Sequence, residues 1–174
     1  KYFSDAEAEK YFNPIQHFSY EKPNNKNVVV LILESFGNEN INRGQTPFLD
    51  SLITKSYYFD HAFANGKLSI DAVPSTISSI PSLMNKSYIS SSYALNQVNA
   101  LPKVLKKHGY NTSFFHGAFN GSQNFNQYSD FIGFDKYYGK NEYKGPYSFD
   151  GKWGVFDEDF LQFFNQELST FKEP

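Results

Sequence analysis

The chain has 174 residues, 40% of them hydrophobic and 20% charged, with a formal net charge of -2. That balance suits one compact domain with a sizeable core, and it excludes intrinsic disorder and the broad basic surface of a nucleic-acid binder. The absence of cysteine excludes thiolate catalysis, disulfides and sulfur-rich zinc sites, so any metal is left to oxygen and imidazole donors.

Residues 1–26 mix charges, Asn and isolated aromatics, with Pro14 and Pro23 interrupting any long helix, so they read as an approach segment with a short helical arm from Ala6 to Phe12. No apolar run approaches the ~20 residues of a membrane helix, and no signal segment opens the chain. The start at Lys1, without an initiator Met, leads us to expect a longer parent whose preceding part can carry a membrane anchor.

Asn27-Val-Val-Val-Leu-Ile-Leu33 is an unbroken aliphatic run, the pattern of a central parallel strand covered on both faces. Thr46-Pro47 is a helix opening, and Phe48, Leu49, Leu52 and Ile53 predict a helix from 46 to about 55. Tyr57 to Phe63 predicts a second strand, ending before Asn65-Gly66. Ser69 opens a helical segment with Pro74 in its first turn and Pro81 at its end. Asn99 is expected to cap a helix through Lys107, closed by Gly109, and Asn111 to His116 reads as the next strand. A helix over Gln123 to Phe131 follows, then a Gly- and Tyr-rich loop over 135–152. Phe156 to Leu168 reads as an amphipathic helix with acids in its first turn.

Strands alternating with helices predict an α/β fold with a mainly parallel sheet sandwiched by helices, the domain running over 27–174. With 19 Phe and 13 Tyr the core is expected to be aromatic, with Tyr hydroxyls at its edges.

In an open parallel sheet the ligand site lies beyond the carboxyl ends of the strands, so polar residues directly after strands outrank others. Glu34 follows the first strand, as a cation ligand or an exposed strand-end charge. Ser69, two residues after Lys67, stands at a helix N-terminus where backbone N–H groups favour an anion or alkoxide; the alternatives are a nucleophile and a plain N-cap serine, with Asp71 sharing the capping. His116 follows the third predicted strand, as a ligand, a proton donor, a phosphate contact or a hydrogen-bonded structural residue. His61 and His108 read as structural.

Asn27-Val-Val-Val-Leu-Ile-Leu-Glu-Ser-Phe36 with Thr46-Pro-Phe-Leu-Asp50 is similar to the opening of the lipoteichoic acid synthase branch, the phosphoglycerol transferases, of the alkaline phosphatase and sulfatase superfamily. Asn65-Gly-Lys-Leu-Ser-Ile-Asp-Ala72 resembles that family's nucleophile segment with one residue inserted, which puts Ser69 at the nucleophile. Phe115-His-Gly117 and Trp153-Gly-Val-Phe-Asp157 resemble two further family segments. The resemblance implies an alkaline-phosphatase-like fold, a divalent metal ion (Mn, Mg or Zn) bound in part by Glu34 and Ser69, and a phosphate contact at His116, with Lys67 as a further phosphate contact or a solvated loop charge.

It further implies a monomeric enzyme, anchored in the membrane by sequence outside this chain, with an extracytoplasmic catalytic domain. Such an enzyme moves a phosphoglycerol or phosphoethanolamine headgroup from a lipid donor to a glycan or glycolipid acceptor through a phospho-Ser69 intermediate. Ester hydrolysis on the same scaffold and a non-catalytic glycan- or headgroup-binding module are the alternatives. The family's Asp-His metal ligands have no counterpart here and are expected beyond Pro174, so the chain alone is expected to be inactive. The family's substrate-binding Asp, Trp and Arg have no match in 118–125, and the residues after Ser69 depart from the formylglycine pattern of typical sulfatases, which favours direct hydroxyl attack.

Overall fold

The computed structural model describes residues 2–11 and 26–171. Two compact units are distinguished, residues 1–30 and 31–174. In the first, helix α1 (Asp5–Tyr11) forms where the short arm is expected. Ser4 accepts the Ala8 N–H through its carbonyl, and the Glu7 carboxylate reaches back to the Ser4 N–H at 2.8 Å, which closes a capping box. Phe12, the last residue of the expected arm, lies outside the described residues.

The larger unit is organised about two parallel strands, β1 (Ser113–Phe115) and β2 (Lys136–Tyr138), with Phe114 opposite Tyr137 and Phe115 opposite Tyr138. Side chains alternate across a strand, so each pair serves one face of the sheet. On one face Phe114 and Tyr137 stack at 5.7 Å between centroids and pack on Phe125, Tyr128 and Ile132 of α5 (Phe125–Phe131) and its C-cap, with Val73 and Ile77 of α3 (Ser69–Ser78) in the same core. On the other face Phe115 and Tyr138 stack at 4.4 Å and meet Phe160 and Phe163 of α6 (Asp157–Leu168). A parallel sheet covered by helices on both sides is the architecture expected from the sequence. Aromatic rings contribute to the core on both faces, with aliphatic Val73, Ile77, Ile89 and Ile132 beside them on the first, and the buried Tyr128 hydroxyl is satisfied by Ser78 at 2.9 Å.

Four local expectations differ. Residues 27–33 form no ladder, and their aliphatic side chains are 42–66% exposed: among the described residues no neighbouring strand supplies the partner N–H and C=O groups that a strand requires. Tyr57 to Phe63 is also unpaired, its aromatic side chains facing solvent. The loop expected over 135–152 contains β2, too short for a periodic signal. Helix α4 (Leu101–Lys106) is entered through Ala100 rather than Asn99, because Pro102 in its first turn already fixes helical φ.

Helix α2 (Pro47–Ile53) begins after Thr46 as expected, with the Thr46 hydroxyl donating to Asp50 at 3.1 Å. Asp50 also accepts the Asn42 N–H at 2.9 Å, which ties the preceding loop to the helix start.

Candidate functional site

The apolar run 27–33 ends in a turn at Glu34 and Ser35. Ser35 stands at φ 51°, a left-handed conformation that non-glycine residues seldom adopt, and it directs the chain sharply away after Glu34. The Ser35 hydroxyl donates to the Glu34 carboxylate at 3.3 Å.

Ser69 is the first residue of α3. The capping position is held by Leu68 in extended conformation, with no side-chain cap, so the N-cap alternative for Ser69 does not describe this helix. The Ser69 side chain is half-buried and makes no hydrogen bond among the described residues. The first N–H groups of a helix have no acceptors within it, and their positive end lies beside this hydroxyl.

The loop leading to Ser69 is fixed from two sides. Asn65 accepts a hydrogen bond from the Ser82 N–H, beyond the far end of α3, and lies 3.3 Å from the Ser75 hydroxyl. Asp71 does not cap the helix; its side chain is 7% exposed and packs against Gly66, where a Cβ would stand only 2.6 Å from the Asp71 Cβ. Gly66 is thus a close-approach glycine, and Lys67 after it projects into solvent with no ion pair among the described residues.

His116 leaves the end of β1, its N–H donating to the Tyr138 carbonyl at 2.9 Å. Its ring sits edge-on to Phe125 at 4.9 Å, and its Nδ1 is 3.3 Å from the Tyr137 hydroxyl. Burial pulls the imidazole below its usual pKa, and the negative charge of Glu34 acts in the opposite direction. Burial thus favours the neutral imidazole, and the Glu34 charge reaches it although the run before Glu34 forms no strand among the described residues. No hydrogen bond or ion pair among the described residues joins Ser69 or Lys67 to either.

The segment after His116 is held by two carboxylates that sequence inspection does not single out. Glu142 accepts from Asn120 Nδ2 at 3.0 and 3.1 Å and from the Gly139 N–H at 2.7 Å. Asp150 Oδ1 accepts the N–H groups of Lys152, Trp153 and Gly154 at 2.8, 2.7 and 3.1 Å, and these bonds hold its carboxyl below the usual range. The resulting turn lays Val155 N–H on the Gly117 carbonyl at 2.9 Å and leaves no room for a side chain at Gly154, against Gly117 and Ala118. At Gly117 itself a Cβ would meet the Phe160 ring at 3.1 Å. The Phe-His-Gly and Trp-Gly segments are thus two halves of one backbone-to-backbone contact, which is why each carries a glycine.

Among the described residues no group of three His, Asp or Glu side chains converges as a metal-binding cluster. Glu34 and Ser69 offer one carboxylate and one hydroxyl, hard donors appropriate to a divalent cation but too few to hold it by themselves.

The family model described as Sulfatase matches residues 26–174. Lipoteichoic acid synthase-like YvgJ of Bacillus subtilis is 27% identical to the chain, which it matches along its whole length, the chain spanning 30% of that protein. A protein of the alkaline phosphatase superfamily from Vibrio parahaemolyticus superposes with a TM-score of 0.66 at 26% identity, over 72% of this chain and 31% of that one. The lipoteichoic acid synthase LtaP of Listeria monocytogenes gives a TM-score of 0.63 at 23% identity over 71% and 30%. The second of these structures bears on the fold alone, and the chain covers less than a third of each relative. A parallel sheet between helical layers and a family model spanning nearly the whole domain lead to one assignment: the chain belongs to the sulfatase family, with the fold of the alkaline phosphatase superfamily.

Proposed function

We propose that the protein of which this chain forms a part transfers a phospho-headgroup, phosphoglycerol or phosphoethanolamine, from a lipid donor to a glycan or glycolipid acceptor, with Ser69 as nucleophile. The observation that carries this reading is Ser69 itself: a hydroxyl at the opening of a ten-residue helix, relieved of capping by Leu68 and without a hydrogen-bond partner among the described residues. A half-buried hydroxyl at the positive end of a helix, committed to no structural bond among the described residues, is available to a reactant.

In the first step Ser69 Oγ forms a bond to phosphorus, the ester bond to the lipid breaks, and the lipid alcohol leaves with the proton. In the second, an acceptor hydroxyl attacks the phosphoserine, the bond to Oγ breaks, and the Ser69 hydroxyl is restored. His116, neutral at physiological pH, and Lys67 hold the phosphoryl oxygens, one by a hydrogen bond and the other by charge. Glu34 and Ser69 would contribute to a divalent-cation site that needs further donors, and a cation there would favour ionisation of the nucleophile's hydroxyl. No helix among the described residues is long and apolar enough to cross a membrane. By the family resemblance, the proposal places a membrane anchor outside this chain and the catalytic domain outside the cytoplasm.

The test is a metal-supplemented reaction of the full-length protein with a headgroup-labelled lipid, followed by peptide mapping. The label is expected on the peptide containing Ser69 and absent in Ser69→Ala, with transfer reduced at least a thousandfold, on the order of what loss of a covalent nucleophile costs. Undiminished transfer by Ser69→Ala overturns the mechanism.

A further inference from the structure

The strand after the crossover contributes a residue that neither the sequence pattern nor the family relationship assigns. We infer that Tyr137 positions His116 for phosphate contact, its hydroxyl donating to Nδ1 so that the ring presents Nε2–H to the ligand; the inference rests on the phosphate-binding role proposed above.

Three observations converge on this pairing. The Tyr137 hydroxyl lies 3.3 Å from His116 Nδ1, the one hydrogen-bond partner it has among the described residues. Tyr137 is itself immobilised: it is paired with Phe114 in the ladder and stacked on the Phe114 ring at 5.7 Å with 11° between planes, which fixes where its hydroxyl points. The His116 ring is confined from another side by Phe125, and its backbone N–H is anchored on the Tyr138 carbonyl. The imidazole thus has few rotations available, and the one recorded turns Nδ1 to the hydroxyl.

The direction of the bond follows from the donor and acceptor inventory. A neutral imidazole has one donor and one acceptor nitrogen, and a phenol donates one hydrogen. If Nδ1 carried the proton, the tyrosine oxygen would accept it and the half-buried phenolic hydrogen would lack an acceptor among the described residues. If the phenol donates, its hydrogen and Nδ1 engage each other, and the donor left over is Nε2–H, the one a ligand oxygen can take. Burial pushes the Tyr137 phenol up to about 12, with the Glu142 charge acting in the same sense, so it stays a donor across the physiological range. A phosphoryl oxygen is acceptor-only when ionised, and an Nε2–H donor held in one orientation is the complementary partner.

The experiment is nitrogen NMR of the His116 imidazole in this chain, in wild type, Tyr137→Phe and His116→Gln, with and without inorganic phosphate. Tyr137→Phe keeps the ring that stacks on Phe114, and His116→Gln assigns the signals. In wild type, Nδ1 is expected unprotonated and hydrogen-bonded, with the proton on Nε2. In Tyr137→Phe the Nδ1 signal is expected to move to that of an unbonded nitrogen, with a population of the other tautomer, and phosphate to perturb Nε2 with an affinity about two- to tenfold weaker, as for loss of one hydrogen bond. A proton on Nδ1 in wild type overturns the inference without reference to any variant. So does an Nδ1 signal unchanged by Tyr137→Phe. If Nδ1 responds to Tyr137→Phe but phosphate leaves Nε2 unperturbed in wild type, the positioning bond stands and the phosphate-binding role of His116 falls.

Discussion

Glu34 and His116 lie far apart in the sequence, yet the charge of one acts on the titration of the other. Burial favours the neutral imidazole and the Glu34 carboxylate favours the cation, so removing that carboxylate leaves burial unopposed. Glu34→Gln is therefore expected to lower the His116 pKa further below its ordinary value of about 6.5, measured by NMR titration. An unchanged value would show that the two side chains do not share a site. Glu34 and His116 stand out in the sequence because each follows an apolar or aromatic run, and Ser69 because it opens a helical segment just after Gly66-Lys67; these are local properties of the chain. Tyr137, Glu142 and Asn65 do not: Tyr137 meets His116 across 21 positions, Glu142 meets Asn120 across 22 and Asn65 meets Ser82 across 17. A hydrogen bond over such separations leaves no mark in local pattern.

At the scale of elements, α1, α2, α3, α5 and α6 were readable because apolar spacing and helix-start residues are local signals. Strands depend on partners, and the expected ones over 27–33 and 57–63 remain unpaired while the unforeseen β2 pairs with β1. The entry into β2 has its own lock. Burial raises the Asp135 carboxyl, but Lys106 Nζ at 2.5 Å and the Thr112 N–H and hydroxyl, each at 2.9 Å, outweigh it and hold Asp135 below its usual range. A carboxylate depressed in the folded state contributes stability that is complete above its unfolded pKa of about 3.9 and is lost as pH falls through the folded value. Urea denaturation between about pH 5 and pH 2 should therefore show a steeper loss of stability for wild type than for Asp135→Asn. Parallel pH profiles for the two would mean that the lock contributes nothing.

Across the whole molecule, sequence pattern captured the α/β class and its aromatic core, and the family model spans residues 26–174. What stays uncovered is the aliphatic run from Val28 to Leu33, every side chain of it at least 42% exposed. Unpaired backbone beside apolar side chains is a template for other chains. Light scattering of this chain in isolation is expected to show concentration-dependent association, reduced by Val29→Lys with Leu31→Lys; equal association by wild type and double variant would place the sticky surface elsewhere. The brevity of the β1–β2 ladder bears on how such a domain tolerates change. The crossover between the strands can gain or lose residues without altering which side chains face which helical layer. One residue inserted within Lys136–Tyr138 would exchange the two tyrosines between faces, giving His116 a neighbour suited to α6 and leaving its own phenol on the far side. Drift in length is thus cheap in the connection and forbidden in three consecutive positions.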